Sequence, residues 1–281
     1  MKVLPFNIPK PLGHNLIVQV DEAPSFYNQL HQHKEIQLSF IEKGQGKLIV
    51  GNSVHQYNKG DFFLIGSNSP HLFQNGQTVG NVKMISLFFT RESFGAGFFD
   101  LADVEELKRF FKYSVEGFQL ISHQIEVGQM IRQFPKLDKL SRFIQLLQLL
   151  KLLINADKKI LTHFVYQKKI SDRDGHRMQA VFDYVINNFE REITLDTISG
   201  KAYMSPNAFC RYFKSRTNKT FYQFLIELRM QHACQLLEES DLPIAVIAER
   251  SGFNSISNFN RKFKALKGNS PKHYKKIRTM Q

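Results

Sequence analysis

The chain has 281 residues, 42% of them hydrophobic and 22% charged, which excludes a disordered protein and leaves room for two domains with separate cores. The formal net charge is +13, and the only cysteines, Cys210 and Cys234, are too few for a disulfide framework. No apolar run is long enough to span a bilayer and "MKVLPFNIPKPLG" lacks the apolar stretch of a signal peptide, so a cytoplasmic protein with no membrane partner is expected.

From about residue 15 to 90 the sequence reads as short strands: "NLIVQV", "IQLSFIE", "GKLIVG", "DFFLIG" and "VKMISLFF". Glycine-bearing breaks such as "EKGQGK", "NKGD" and "QNGQ" separate them, the texture of an antiparallel barrel or sandwich. From about 103 the spacing turns helical, with "DVEELKRFFKY" and then "KLDKLSRFIQLLQLLKLLINA". In the longer helix Phe143, Leu147, Leu150 and Ile154 form one apolar stripe, and Leu146, Leu149 and Leu153 form a second. One stripe docks a helix on its own domain; the second is either a homodimer seam or further core. The polar stretch 157–175 reads as a hinge, and "HRMQAVFDYVINNF" opens a second helical region that runs to the end. The expected division is 1–100 barrel, 101–157 helical extension, 158–175 linker and 176–281 helical domain.

The charge is concentrated. Residues 201–281 hold 15 Lys and Arg against 5 Asp and Glu, a net +10 of the total +13. A polyanionic partner, nucleic acid ahead of membrane, follows. The same segment repeats itself: "FCRYFK" (209–214) returns as "FNRKFK" (259–264), and "LDTIS" (195–199) pairs with "IAVIA" (244–248) at an offset one residue shorter. A fixed-period echo marks a duplicated structural unit. In the first copy a short helix with Ile198 and Ala202 inside is followed by a turn at Tyr203-Met204-Ser205. Ser205 then suits an N-cap and Pro206 the first helical position. Phe209 and Phe213 face inward together, leaving Asn207, Cys210, Arg211 and Lys214 on the polar side. The second copy turns at Gly252, buries Phe259 and Phe263, and turns out Asn258, Asn260, Arg261 and Lys264. Asn218 and Gly268 occupy equivalent left-handed stops. Each copy is a helix-turn-helix with a basic second helix, suited to a DNA groove.

The stretch "RMQHACQLLEESDLPIAVIAERSGFNSISNFNRKFKALKGNSPKHYKK" resembles the signature of the AraC/XylS family of bacterial transcription regulators, through the linker-helix Arg and Ala, "IAERSGF", "FNRKFK" and "G-x-S-P-x-x-Y". The resemblance covers residues 175–276. It implies that Asn207, Cys210, Arg211 and Lys214 of the first unit, and Asn258, Asn260, Arg261 and Lys264 of the second, meet DNA. Cys210 departs from the longer polar side chain usual there. RNA polymerase is an expected further partner.

Upstream, "HQHKEIQ" (31–37) and "GDFFLIGSNSPHLFQN" (60–75) are similar to the two motifs of the cupin barrel, the sensor domain of one branch of that family. His31, His33, Glu35 and Gln37 alternate along one expected strand, so they share a side with one another and, in a cupin, with His71. In cupin enzymes such histidines and an acid bind metal; here Gln37 stands where the acid is expected, with Glu35 two residues early. These five residues are therefore read as lining an effector pocket, with no cofactor, and a metal on His31, His33 and His71 is the lesser reading. The expected fold class is α+β: an antiparallel cupin-like barrel with a helical extension, then an all-α double helix-turn-helix domain. The expected function is that of a dimeric, effector-controlled, sequence-specific transcription regulator and not an enzyme. A metal-dependent cupin enzyme tethered to DNA, or a nucleoid-type binder without sequence preference, are the alternatives.

Overall fold

The computed structural model describes residues 15–27, 29–76, 81–162 and 172–278, and divides into two compact units, Met1–His176 and Arg177–Gln281. Among the described residues of the first unit, nine strands run in chain order: β1 (Ile17–Ala23), β2 (Ile36–Lys43), β3 (Gly46–Val50), β4 (Ser53–Tyr57), β5 (Phe62–Ile65), β6 (His71–Asn75), β7 (Val82–Phe89), β8 (Phe118–Leu120) and β9 (Lys158–Ile160). All named pairings are antiparallel. They form two sheets, a six-stranded one in the order β1-β7-β2-β5-β8-β9 and a three-stranded one in the order β4-β3-β6. The expected closed barrel is thus an open pair of sheets, because among the described residues the ladders of one sheet do not continue into the other.

Alternation along the central strands explains both faces of the larger sheet. Leu38 and Phe40 of β2, Phe62 and Leu64 of β5, and Ile85, Leu87 and Phe89 of β7 point to one side. There they meet three helices, α1 (Lys108–Ser114), α2 (Gln124–Gln133) and α3 (Lys139–Asn155). Ile41, Phe63, Ile65 and Met84 point the other way and pack with Leu48, Val50, Tyr57 and Phe73 of the smaller sheet. A run such as "FFLI" (62–65) is apolar throughout because both its faces are covered.

The first turn of α3 is capped by Asp138, whose carboxylate accepts from the amides of Leu140 and Ser141. Both apolar stripes of this helix are core. Leu146, Leu149 and Leu153 are 0–1% exposed and sit in one cluster with the strand residues, so they cannot form the expected dimer seam. The apolar side chains this helix leaves in solvent are Leu140 (66% exposed) and Ile144 (49%).

The expected linker also begins later than its sequence implies. β9 adds to the edge of the larger sheet, and the next two residues are pinned: the Leu161 and Thr162 amides donate to the carbonyls of Gly117 and Glu116. The Leu161 carbonyl lies 2.8 Å from His55 Nε2, and the Thr162 hydroxyl donates to Asn52 Oδ1 at 2.9 Å. Residues 163–171, the remainder of the expected hinge save 172–175, lie outside the described residues.

The helices that follow are α4 (Asp172–Asn188), which lies in the second unit from Arg177 on, and then α5 (Leu195–Lys201), α6 (Pro206–Thr217), α7 (Phe221–Glu239), α8 (Ile244–Arg250), α9 (Ile256–Lys267) and α10 (Pro271–Arg278). α7 starts with a capping box between Thr220 and Gln223 and carries buried side chains from Phe221 to Leu237. Near its start, Phe221 and Phe224 pack against Phe209 and Phe213 of the first repeat. Near its end, Met230, Ala233, Cys234 and Leu237 pack with Phe259 and Phe263 of the second. The two repeats therefore share α7 as a common spine.

Candidate DNA-binding face and ligand site

α5 and α6 form one helix-turn-helix, α8 and α9 the other. The offset between α5 and α8 is 49 residues and that between α6 and α9 is 50, so the extra residue lies in the second turn. Tyr203 and Gly252 are equivalent at the 49-residue offset, and both have positive φ, +53° and +79°. Asn218 and Gly268 close α6 and α9 in the left-handed conformation, as their residue types imply. Ser255 caps α9 through its side chain, whereas Ser205 occupies the cap position of α6 without a side-chain hydrogen bond.

Phe209, Phe213, Phe259 and Phe263 are fully buried. Asn207, Cys210, Arg211 and Lys214 on α6 are all exposed, as are Asn258, Asn260, Arg261 and Lys264 on α9. The Arg261 guanidinium donates to Asn258 Oδ1 at 3.2 Å, which steadies it on the outer face of its helix. Arg229 of α7 holds the unit together behind that face, donating to the carbonyls of Phe189 and Arg191, each at 2.7 Å.

In the first unit the histidines do meet, though not along one strand. β2 begins only at Ile36, and His31 instead pairs with His71 through two backbone hydrogen bonds. The fold brings His31, His33 and His71 together, all buried, with one ring nitrogen from each lying within 4.8 Å of the others. Gln37 Oε1 lies 3.1 Å from His33 Nε2 and 3.0 Å from His71 Nε2. Glu35 is buried and faces His33 Nδ1 twice, through its backbone carbonyl at 3.0 Å and its carboxylate at 3.8 Å.

Hydrogen-bond chemistry fixes the tautomers. Nδ1 of His31, His33 and His71 each faces a backbone carbonyl, of Gln29, Glu35 and Ser69, at 2.8, 3.0 and 2.8 Å. Burial pushes all three rings away from protonation: His31 down to about 4, His33 below its usual value, and His71 well below. A neutral ring has one N–H, and a carbonyl can only accept, so the proton sits on Nδ1 and Nε2 carries a lone pair. Gln37 then satisfies two lone pairs only with its amide nitrogen toward them and its carbonyl toward Ser39, whose hydroxyl lies 2.8 Å from that of Ser86.

Three Nε2 lone pairs with backbone-anchored Nδ1–H groups fit a divalent transition metal in donor type. Such an ion would turn the Gln37 carbonyl toward itself. It would lack the carboxylate that offsets its charge in cupin enzymes.

Depressed histidines make the fold acid-sensitive. Between the unfolded value near 6.5 and the folded value near 4, the unfolded chain binds more protons. Stability is therefore full above about pH 6.5 and is lost as pH falls, by up to about 1.4 kcal/mol per pH unit for each ring that titrates so. Urea unfolding of the first unit at pH 7 and pH 5.5, in chelator, should show this loss, and His31→Asn should reduce the slope by about one proton.

Beside the cluster lies a cavity of about 190 Å³ between the sheets. His31 and Gln37 form its inner end, Phe26, Phe73, Met84 and Phe88 its walls, and Gln19 and Asp21 one side. The register explains this lining: Gln19 pairs with Ser86 and Asp21 with Met84, so both side chains share the inner face of the sheet. Sequence reasoning missed Gln19 and Asp21. The signal was the alternation in "VQVDE", which shows that the two share a face and not that the face is covered.

A cupin domain model matches residues 18–88, and a helix-turn-helix domain model matches residues 198–277. An uncharacterised HTH-type transcriptional regulator of Bacillus subtilis (strain 168), YdeC, is 24% identical over 272 residues, covering 89% of this chain and 87% of its own. The probable transcriptional regulator LumQ of Photobacterium leiognathi is also 24% identical, over 91% of this chain and 93% of its own. The chain is a transcriptional regulator that joins a cupin domain to an AraC-type helix-turn-helix domain. Among solved structures, the regulator is similar to ToxT from Vibrio cholerae O395, with 17% identity over 94% of this chain and 98% of that one and a TM-score of 0.38. Its C-terminal part is similar to the DNA-binding domain of AdpA, solved with a target DNA, with 32% identity over 34% of this chain and 87% of that one and a TM-score of 0.34. The regulator carries its DNA-binding function in the second unit, and no helix among its described residues is long and apolar enough to cross a membrane.

Proposed function

We propose that this regulator reads specific duplex sequences with α6 and α9, and that a small molecule in the cavity between its sheets controls that binding. The observation that carries the reading is the division within each repeat helix. Its phenylalanines are fully buried, while its polar and basic side chains stand exposed. Two such helices, one per groove, suit successive major grooves on one face of a duplex, with Asn207, Arg211, Asn258, Asn260 and Arg261 toward base edges and Lys214 and Lys264 toward phosphates. Cys210, a weak donor, contributes contact more than readout. The work is done in the cytoplasm, where the DNA is.

Selection of sites from random duplexes tests the proposal, and enrichment of one sequence supports it over a nucleoid-type binder. On that sequence Arg261→Ala should cost about 1–3 kcal/mol, and clearly less on unrelated DNA. An equal loss on both would make Arg261 a phosphate contact.

For the first unit, the cavity between the sheets, with convergent polar groups, supports effector binding over catalysis. Dimerisation falls to the exposed pair Leu140 and Ile144, since the inner stripes are occupied.

A further inference from the structure

The cavity between the sheets contains a carboxylate that no positive group among the described residues faces. Asp21 accepts one hydrogen bond, from Gln19 Nε2 at 2.7 Å, and among the described residues no cation faces it. Burial pushes its carboxyl above the usual range, with the Gln19 bond opposing. The rings of Phe26, Tyr27, Phe73 and Phe88 line the same space. Asp21 is half-buried, and an acid partly withdrawn from water is costly without a partner, while aromatic faces attract cations through their negative quadrupole.

We propose that the effector is a small organic cation, an ammonium-headed molecule whose charge pairs with Asp21 and whose apolar body lies among these rings. An apolar cavity of roughly 150 Å³ holds a benzene molecule, so about 190 Å³ takes one ring with a short amine arm. The inner polar end supplies the second point of recognition, the His31 and Gln37 side chains, for a hydroxyl or amide on the ligand. The negative charge of Asp21 selects against carboxylates and phosphates, which it repels. This inference rests on the reading of the cavity as the effector site and adds the ligand's charge.

The test is calorimetric titration of the full chain with three matched classes: 2-phenylethylamine and tyramine, 2-phenylethanol, and 3-phenylpropanoate. The amines should bind at least tenfold more tightly than the alcohol, and the carboxylate should not bind. Asp21→Asn should lower amine affinity at least tenfold while leaving the alcohol unchanged. The unliganded variant should melt at or above the wild-type temperature, because it loses a half-buried acid that no cation faces. If the variant does not fold, the order of the three classes on the wild-type chain decides. Tighter binding of alcohol or carboxylate, or amine binding indifferent to Asp21, would overturn the cationic assignment and leave the effector site standing. Failure of every class to bind would remove both.

Discussion

The double substitution Leu149→Glu with Leu153→Glu should unfold the first unit. Both side chains are at most 1% exposed, in the cluster that joins α3 to the inner strands. Removing a buried leucine costs about 2–5 kcal/mol, and a carboxylate in an apolar core adds several more. Two such changes exceed much of the roughly 5–15 kcal/mol that holds a typical domain together. The expected readout is dye binding to exposed apolar surface and rapid proteolysis before residue 177, with the helical second unit surviving as a fragment. The contrasting pair, Leu140→Glu with Ile144→Glu, should leave the fold intact, since those side chains are 66% and 49% exposed. If that face joins two copies, the second pair should turn a dimer into a folded monomer with weaker operator binding. A folded monomer from the first pair would show that α3 is not core.

The second large effect is at the turn between α8 and α9. Gly252 has φ +79°, and a Cβ there would lie 2.5 Å from the Phe189 carbonyl oxygen and 2.7 Å from Arg229 Nε. Gly252→Val combines left-handed backbone strain of about 1–3 kcal/mol with displacement of Arg229 from the two carbonyls it caps. Charged hydrogen bonds are worth about 1.5–3 kcal/mol each, so a loss of about 4 kcal/mol or more is expected. At the equivalent position of the first repeat, Tyr203 adopts φ +53° with 87% of its surface exposed. Tyr203→Gly should therefore change stability by no more than about 1 kcal/mol. Urea midpoints followed by helical circular dichroism would check both. Equal sensitivity at the two turns would show that the close packing behind Gly252 carries no energy.

These two cases also separate what the sequence by itself determined from what needed the tertiary structure. The double helix-turn-helix was legible because its signals are local. Phenylalanines four residues apart, a left-handed stop at Asn218 and Gly268, and a one-residue difference in offset all act within a single turn or helix. Most of the strands and the two-unit organisation were legible for the same reason.

What stayed hidden depended on which element covers which face. Periodicity shows that Leu146, Leu149 and Leu153 share a side of α3, and only the packing shows that this chain's own sheet lies against it. The same holds for Gln19 and Asp21, whose inward face is set by the β1–β7 register, between residues more than sixty positions apart. His31, His33 and His71 were legible as a set of residue types, but the bridge between His31 and His71, not a shared strand, brings them together. Whether the strands close into a barrel likewise turns on long-range ladders that no local pattern encodes, and here they settle into two sheets. Local sterics and side-chain spacing write the elements into the chain; the pairing of distant surfaces, which decides burial, charge environment and cavity, exists only once the chain has folded.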